Sequence, residues 1–261
     1  MNYAINRGTE LPIPNGWYAV AWASDLARGD IRRARYFGED LVIFRTRSGE
    51  ARVLNAYCAH LGAHLAEGGR VVGETIRCPF HGWHYDGEGR CAQIPYCDRI
   101  PPRARVRSWP VTEANGMIFA WHHGLDKPPE WEVPHIPELN NPEWTEPRKL
   151  EMTVDVHVQE TAENNCDPVH FFYVHSSLSV PETESRIAED GRFMTVIGKN
   201  EVATAMGQFT MVVEREAWNL GGVVTVRLGG MGDAGLLLLN SASPIDARHT
   251  HFRWLLTTSH D

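Results

Sequence analysis

Cys58-Ala-His60-Leu-Gly-Ala-His64 and, a short way on, Cys78-Pro-Phe-His81-Gly-Trp83 are the two stretches of this 261-residue chain on which the fold turns. Each offers one cysteine and one histidine, as Cys58-x-His60 and Cys78-x-x-His81, with residues 61–77 between them. From five cysteines and 13 histidines, a Cys-x-His pair is expected about 0.25 times by chance, and a Cys-x-x-His pair has similar odds. The two together, in order and a loop's length apart, read as one metal site. Two thiolates suit one iron of a [2Fe–2S] cluster and two neutral imidazoles the other. Less negative charge around the cluster raises its potential above that of an all-cysteine centre. Gly62, Gly68, Gly69 and Gly82 let the loops turn tightly. The alternative is zinc, which also takes two Cys and two His, although zinc fingers usually open with paired cysteines. His64 and His84 lie close enough to compete but fit the spacing less well, and they read as bystanders. Cys91 and Cys97 have no metal-type spacing to a histidine and read as ordinary thiols.

Outward from these loops, the first half reads as all-β. Trp17–Trp22 is a strand, and Ala34–Phe37 and Leu41–Thr46 flank a turn at Gly38-Glu39-Asp40. Arg52–Asn55 follows the Ser48-Gly49 turn, and Gly116–Trp121 closes the segment. From Lys127 to Pro147 the chain is dense in proline (Pro128, Pro129, Pro134, Pro137, Pro142, Pro147), which predicts an extended linker. Beyond it Lys149–Gln159 alternates like a strand, with Met152, Val154, Val156 and Val158 on one side. Thr161–His175 is the best helix, and strands follow at 192–198, 203–213, 223–228, 236–241 and 250–258. The expected class is α+β: an N-terminal all-β cluster domain over 1–126 with its loops at about 56–86, a proline-rich linker over 127–148, and an antiparallel sheet with a helix over 149–261.

The helix candidate carries a second pattern, Asp167-x2-His170-x4-His175. Two imidazoles and a carboxylate on one face of an iron leave open positions for O2 and substrate. Asp167 and His170 can share a helix face. His170 and His175 stand about 140° apart on an ideal helix, so they converge only if the helix ends or bulges between them. Pro168 suits a first turn with Asp167 as its N-cap, and that capping role competes with a functional one. Packing among Phe171, Phe172 and Tyr173 is the plain alternative for the two histidines. The neighbouring cluster tips the balance to metal binding, because its electrons need a destination.

Composition sets bounds. At 43% hydrophobic and 22% charged, the chain is globular. A net charge of -8 does not favour nucleic acid or anionic membranes. An odd number of cysteines argues against a disulfide framework. The start has no signal-peptide core, and the longest aliphatic run, Leu236–Leu239, is far too short for a transmembrane segment. A cytoplasmic protein is expected.

These motifs, with Gly89-Arg-Cys91, Ile94-Pro95-Tyr96 and His170-Phe-Phe-Tyr-Val-His175, resemble the Rieske non-haem iron oxygenases, and most closely the 3-ketosteroid 9α-hydroxylase and cholesterol 7-desaturase type. The resemblance runs from about Gly16 to His175 and more weakly beyond. It implies a helix-grip-like catalytic domain after the Rieske domain. It implies Cys58, His60, Cys78 and His81 as cluster ligands and His170 and His175 as ligands of a mononuclear Fe(II). It gives Asp167 the role of a bridge from an iron-ligand histidine to a cluster histidine of a neighbouring subunit, hence a homotrimer. The implied activity is an oxidoreductase of the monooxygenase class that uses O2 to hydroxylate or desaturate a hydrophobic, steroid-like substrate. Electrons come from NAD(P)H through a flavin and iron–sulfur reductase. In the family the third iron ligand is an aspartate on a late C-terminal helix. Asp190, Asp233, Asp246 and Asp261 remain after His175, and none sits in such a helix. The catalytic domain is therefore expected to be partial, with its third ligand beyond residue 261. Two other readings compete: a Rieske electron-transfer protein without oxygenase activity, which the second segment argues against, and a colourless zinc-stabilised binding module.

Overall fold

The run Gly16–Trp22, buried along its whole length, forms strand β1 of the computed structural model, which describes residues 11–204, 207–220, 222–231 and 234–260. Ten more strands follow in the first half: β2 (Ile31–Tyr36), β3 (Glu39–Arg45), β4 (Ala51–Asn55), β5 (Arg70–Val72), β6 (Thr75–Arg77), β7 (His84–Tyr85), β8 (Cys91–Gln93), β9 (Ser108–Trp109), β10 (Val111–Ala114) and β11 (Met117–His122). They make three antiparallel sheets, ordered β1-β11-β10, β2-β3-β4-β9 and β5-β6-β7-β8. The β2–β3 turn sits at Phe37-Gly38, not at Gly38-Glu39-Asp40. Both turn residues have positive φ, 58° and 77°, which matches the twist of a two-residue hairpin. Asp40 instead pairs with Arg35 in the ladder. The strained Phe37 is held by ring contacts to Trp109 at 4.8 Å and His122 at 4.9 Å.

The chain divides into a unit spanning Asn15–Asn141 and a second unit from Pro142 on. The proline-rich segment is irregular apart from a short 3-10 turn at Pro137–Asn140, yet it is tied down. Trp17 donates its indole N–H to the Trp131 carbonyl (2.7 Å) and Asn115 its amide to that of Pro134 (2.8 Å), while Ile136 is buried. After Pro142, the Thr145 amide donates to Thr258 (2.8 Å).

The second unit is a seven-stranded antiparallel sheet with two short helices. Its elements are β12 (Arg148–Val154), α1 (Val158–Asn164), α2 (Val169–Tyr173), β13 (Glu182–Ile187), β14 (Phe193–Thr204), β15 (Gly207–Trp218), β16 (Val223–Met231), β17 (Ala234–Pro244) and β18 (Thr250–Thr258). The sheet order is β12-β18-β17-β16-β15-β14-β13. Three expectations need correction. The strand begun at Lys149 stops at Val154, and Val158 belongs to α1, whose start is capped by His157 Nδ1 accepting the Gln159 amide (3.1 Å). The single helix over Thr161–His175 is broken into α1 and α2. Pro168 lacks an N–H and pushes the residue before it away from helical geometry. The fully exposed edge strand β13, Glu-Thr-Glu-Ser-Arg-Ile, has no buried face and so carried no apolar alternation to read. No helix among the described residues is long and apolar enough to cross a membrane.

Two glycines of the first unit make a test. Gly89 has φ +75°, and a Cβ there would lie 2.1 Å from the Val106 carbonyl oxygen; Gly73 has φ +59° and open space around it. Gly73→Ala should cost about 1 kcal/mol from backbone strain alone, and Gly89→Ala about 3 kcal/mol or more, because the chain must also shift. Denaturant melts of the two variants would check the order.

Candidate metal centres

The two cysteine loops of the first unit are built alike. In the loop between β4 and β5, the Cys58 amide donates to the Ala63 carbonyl (2.9 Å) and the Gly62 amide to the Cys58 carbonyl (2.9 Å). In the loop between β6 and β7, the Cys78 amide donates to Trp83 (2.8 Å) and the Gly82 amide to Cys78 (3.2 Å). Gly62 and Gly82 have φ of +73° and +71°, a conformation that closes both rings and that L side chains resist. Cys58 and Cys78 are buried in the core beside Trp83, Tyr85 and Cys91. The His60 and His81 rings meet at 4.7 Å, and His60 lies flat on Trp83 at 4.6 Å.

The donor set fits a two-iron cluster. Burial pushes the Cys78 thiol up, the amides of Phe80 and His81 at its sulfur act the other way, and the Cys58 thiol beside it adds to the rise. His60 Nδ1 is buried with no hydrogen-bond partner, a state that costs free energy unless something binds it. Among the described residues, no three or more His, Cys, Asp or Glu side chains form a group that could hold one metal ion. A [2Fe–2S] centre asks for two protein ligands on each iron, not three on one. His64 Nδ1 accepts the Ala66 amide (3.1 Å), and His84 Nδ1 shares a hydrogen bond with Thr75 Oγ1 (3.0 Å). Cys91 is buried with its Sγ 3.5 Å from the Gln93 carbonyl, and Cys97 is exposed. All five cysteines are free.

One residue at this site escaped the sequence reading. Tyr85 is fully buried, and its hydroxyl lies 3.1 Å from Cys58 Sγ while accepting the Ala59 amide (3.0 Å). The amide occupies the oxygen's acceptor side, so the phenol proton is directed at the sulfur. Burial, and then the Cys58 sulfur, hold the phenol far above its ordinary range.

In the second unit the helix break resolves the spacing of the histidines. Helix α2 stops at Tyr173, and Ser176 turns the chain with φ +59°. The His170 and His175 rings therefore meet at 5.1 Å instead of pointing apart. Asp167 stands at the start of α2. One carboxylate oxygen accepts the Val169 amide (2.8 Å), and the other lies 3.6 Å from His170 Nδ1, a buried nitrogen with no other partner. Burial, and next the charges of His170 and Arg215, push the His175 imidazole down, which favours the neutral form that binds metal. Asp190 and Asp246 are engaged in turns, accepting the amides of Arg192 and Arg248. Asp233 and Asp261 lie outside the described residues.

Two further features of this unit were also missed. Between α1 and the sheet lies an open pocket of about 370 Å³ whose lining includes Val154, Glu160, Asn165, Asn240, Phe252 and Trp254. On β15, Arg215 falls in phase with the buried Val213 and Ala217. It is 6% exposed, and its guanidinium sits 4.4 Å over the Phe171 ring, with no carboxylate partner among the described residues. Burial pushes its pKa down. A charged residue in the apolar phase of a strand was the available signal.

Comparison with known proteins identifies the family. Residues 16–110 match the Rieske [2Fe-2S] domain and residues 120–261 the 3-ketosteroid 9alpha-hydroxylase C-terminal domain. The chain belongs to the Rieske oxygenases with this type of C-terminal domain. It is 41% identical to a cholesterol 7-desaturase of Ciona intestinalis over 64% of this chain and 36% of that one. It is 44% identical to a probable 3-ketosteroid-9-alpha-monooxygenase oxygenase component of Rhodococcus rhodochrous, over 62% of this chain and 41% of that one. The chain thus spans well under half the length of these curated relatives. Dicamba monooxygenase bound to dicamba shares the fold, with a TM-score of 0.74 at 19% identity over 94% of this chain and 77% of that one.

The buried arginine generates a prediction. Arg215→Met keeps the volume and removes an unpaired charge, whose burial outweighs a cation–π contact. The variant should be as stable as the parent or up to about 2 kcal/mol more stable in urea. A loss of that size would show that the guanidinium has a strong partner.

Proposed function

We propose that this chain is the metal-bearing part of an oxygenase component, in which Cys58, His60, Cys78 and His81 hold the cluster and His170 and His175 hold the iron. When bound, these groups supply one-electron transfer and activation of O2 for hydroxylating or desaturating a C–H bond. The observation that carries the reading is the early end of α2 at Tyr173, which brings the His170 and His175 rings to 5.1 Å beside a carboxylate. In this reading Asp167, whose carboxylate lies 3.6 Å from His170 Nδ1, helps to orient that imidazole toward the metal. The open pocket between α1 and the sheet, bordered by Val154, Phe252 and Trp254 and by the polar Glu160 and Asn240, is the candidate site for a hydrophobic, steroid-like substrate with a polar group. The division into a cluster domain over 1–126, a linker over 127–148 and a catalytic domain from 149 follows the same reading. So do a cytoplasmic setting and electron supply from NAD(P)H through a flavin and iron–sulfur reductase.

The contact between subunits that a homotrimer needs is supported by two exposed apolar patches. Leu61, Phe80 and Tyr96 lie at the cluster loops, and Phe172, Tyr173 and Val174 around α2. Monomeric proteins rarely leave such surface uncovered beside a functional site. In such an assembly Asp167 of one subunit reaches a cluster histidine of the next.

Iron and acid-labile sulfide per chain, measured on anaerobically purified protein, test the reading first. Three irons with two sulfides are expected where both sites fill, and two with two where only the cluster does; zinc without sulfide would overturn it. Cys58→Ala or His81→Ala should abolish the cluster's colour. His170→Ala should keep the colour and lose oxygenation in a protein that turns over, and full turnover would refute the assignment. Asp167→Asn should retain the metals but slow single-turnover reoxidation of the cluster on adding O2 and substrate by about tenfold or more.

Tyr85→Phe isolates the sulfur contact. Hydrogen bonds to a sulfur ligand stabilise the reduced, more negative cluster. At about 1.4 kcal/mol for a charge-assisted bond, its loss should lower the one-electron potential by about 60 mV in a spectroelectrochemical titration. An unchanged potential would mean that the phenol proton points elsewhere.

A further inference from the structure

Strands β5 and β6 pair so that Arg70 stands directly opposite Arg77. Directly opposed residues share a face and sit within about 5.5 Å at Cα, where like charges repel. Val71 and Ile76 take the buried face of this ribbon, so Arg70 and Arg77 project outward. A third arginine joins them. The Arg47 amide donates to the Gly73 carbonyl (3.0 Å), pinning the β3–β4 turn against the tip of the ribbon, and its guanidinium packs over Gly29. The three arginines line an open groove of about 530 Å³ that has Asp30 as its one acidic residue. Asp30 is occupied, one carboxylate oxygen accepting the Ala27 amide (2.9 Å). Neighbouring acids are also engaged: Glu67 pairs with Arg33 (3.5 Å), and Glu74 accepts the Ser48 amide and hydroxyl (3.1 and 2.6 Å). None of the three groove arginines pairs with a carboxylate among the described residues.

This cationic groove belongs to a chain whose net charge is -8, and it lies beside the cluster loops. Arg77 immediately precedes Cys78, and Ala66 and Gly69, from the end of the first loop, form part of the groove wall. Val72, exposed at the tip, adds an apolar contact in phase with Arg70. Arginines around a small apolar centre are a composition that interfaces favour.

We propose that the Arg47-Arg70-Arg77 groove is the docking surface for an acidic electron-donor protein that delivers electrons to the cluster. The inference rests on the function proposed above, since it assumes that the cluster is filled. Unpaired arginines held against mutual repulsion attract an acidic partner from solution and orient it, raising the association rate in a salt-dependent way. Three such charges suit a partner that must leave after each electron, because exposed ion pairs guide encounter more than they hold a complex.

The test uses the whole chain with its cluster in place and a chemically reduced, acidic plant-type [2Fe–2S] ferredoxin as probe. Stopped-flow reduction of the cluster is followed from about 20 to 500 mM NaCl, a range over which screening shortens from roughly 20 Å to a few ångströms. The parent rate constant should fall about tenfold or more across that range. Arg70→Glu/Arg77→Glu should be at least about tenfold slower at low salt and nearly flat with salt, and Arg70→Lys/Arg77→Lys should stay within about threefold of the parent. Reduction by the small methyl viologen radical, the cluster spectrum and the size in solution should not change. Equal rates and salt slopes for parent and charge-reversed protein would overturn the proposal. So would an equal slowing with viologen, or a change in oligomeric size, which would assign the groove to contacts between copies of the chain. Absence of cluster colour and sulfide from the parent would instead overturn the function on which the proposal stands.

Discussion

Two hydrogen-bonded rings, closed by Gly62 on the Cys58 carbonyl and by Gly82 on the Cys78 carbonyl, are the constraint to which the first unit is subordinate. Each ring needs a left-handed residue at one point, and glycine supplies it in both. With the rings closed, each cysteine is buried and each histidine half-buried, and the neighbouring strands need only hold the two loops side by side. Trp83 and Tyr85 then finish the pocket from the second loop, one by stacking on His60 and the other by reaching the Cys58 sulfur. Burying thiols in such a core favours their neutral form. A metal reverses that preference, because bound cysteines are thiolates and binding releases their protons. The cluster is therefore as much a part of this core as the side chains around it.

The second unit meets a related demand in another way. Its two histidines cannot converge on a continuous helix, and the early stop of α2 at Tyr173, before the turn at Ser176, removes the obstacle. Helix α2 is too short to be stable by propensity, so its geometry depends on what it packs against. Arg215 under Phe171 is one such contact. A buried cation is a costly way to seat a ring, and it adds a small push to the lowering of the His175 imidazole that burial and then His170 chiefly cause.

How much of this was legible in the sequence depends on whether the signal was local. The paired Cys and His motifs, the run Gly16–Trp22 and the strand Thr250–Thr258 announce themselves within a few residues, and family resemblance supplied the order of the two domains. The misplaced turn at Phe37-Gly38 was missed because phenylalanine seldom adopts positive φ and is rescued here by Trp109 and His122, both distant in sequence. The helix over Thr161–His175 was drawn through Pro168 because its apolar content continued on the far side. Strand β13 was invisible because it buries nothing. Tyr85 and Arg215 act through contacts to Cys58 and Phe171 that only the folded chain brings together.

On the proposed function, the cluster must take electrons from one protein and pass them to another, and these tasks call for surfaces of different chemistry. Delivery to the catalytic iron favours a lasting interface, and lasting interfaces are comparatively apolar. Leu61, Phe80 and Tyr96 provide such a surface at the loops that carry His60 and His81. Receipt of electrons favours a brief encounter that charge can guide and salt can weaken. Arg70 and Arg77 provide that on the ribbon leading into Cys78, and their mutual repulsion disfavours the site when no acid is bound. If the two surfaces were alike, donor and neighbouring subunit would compete for the same ground. Placing charge on the cysteine approach and apolar side chains by the histidines lets one small domain be held by a neighbour and visited by a donor at the same time.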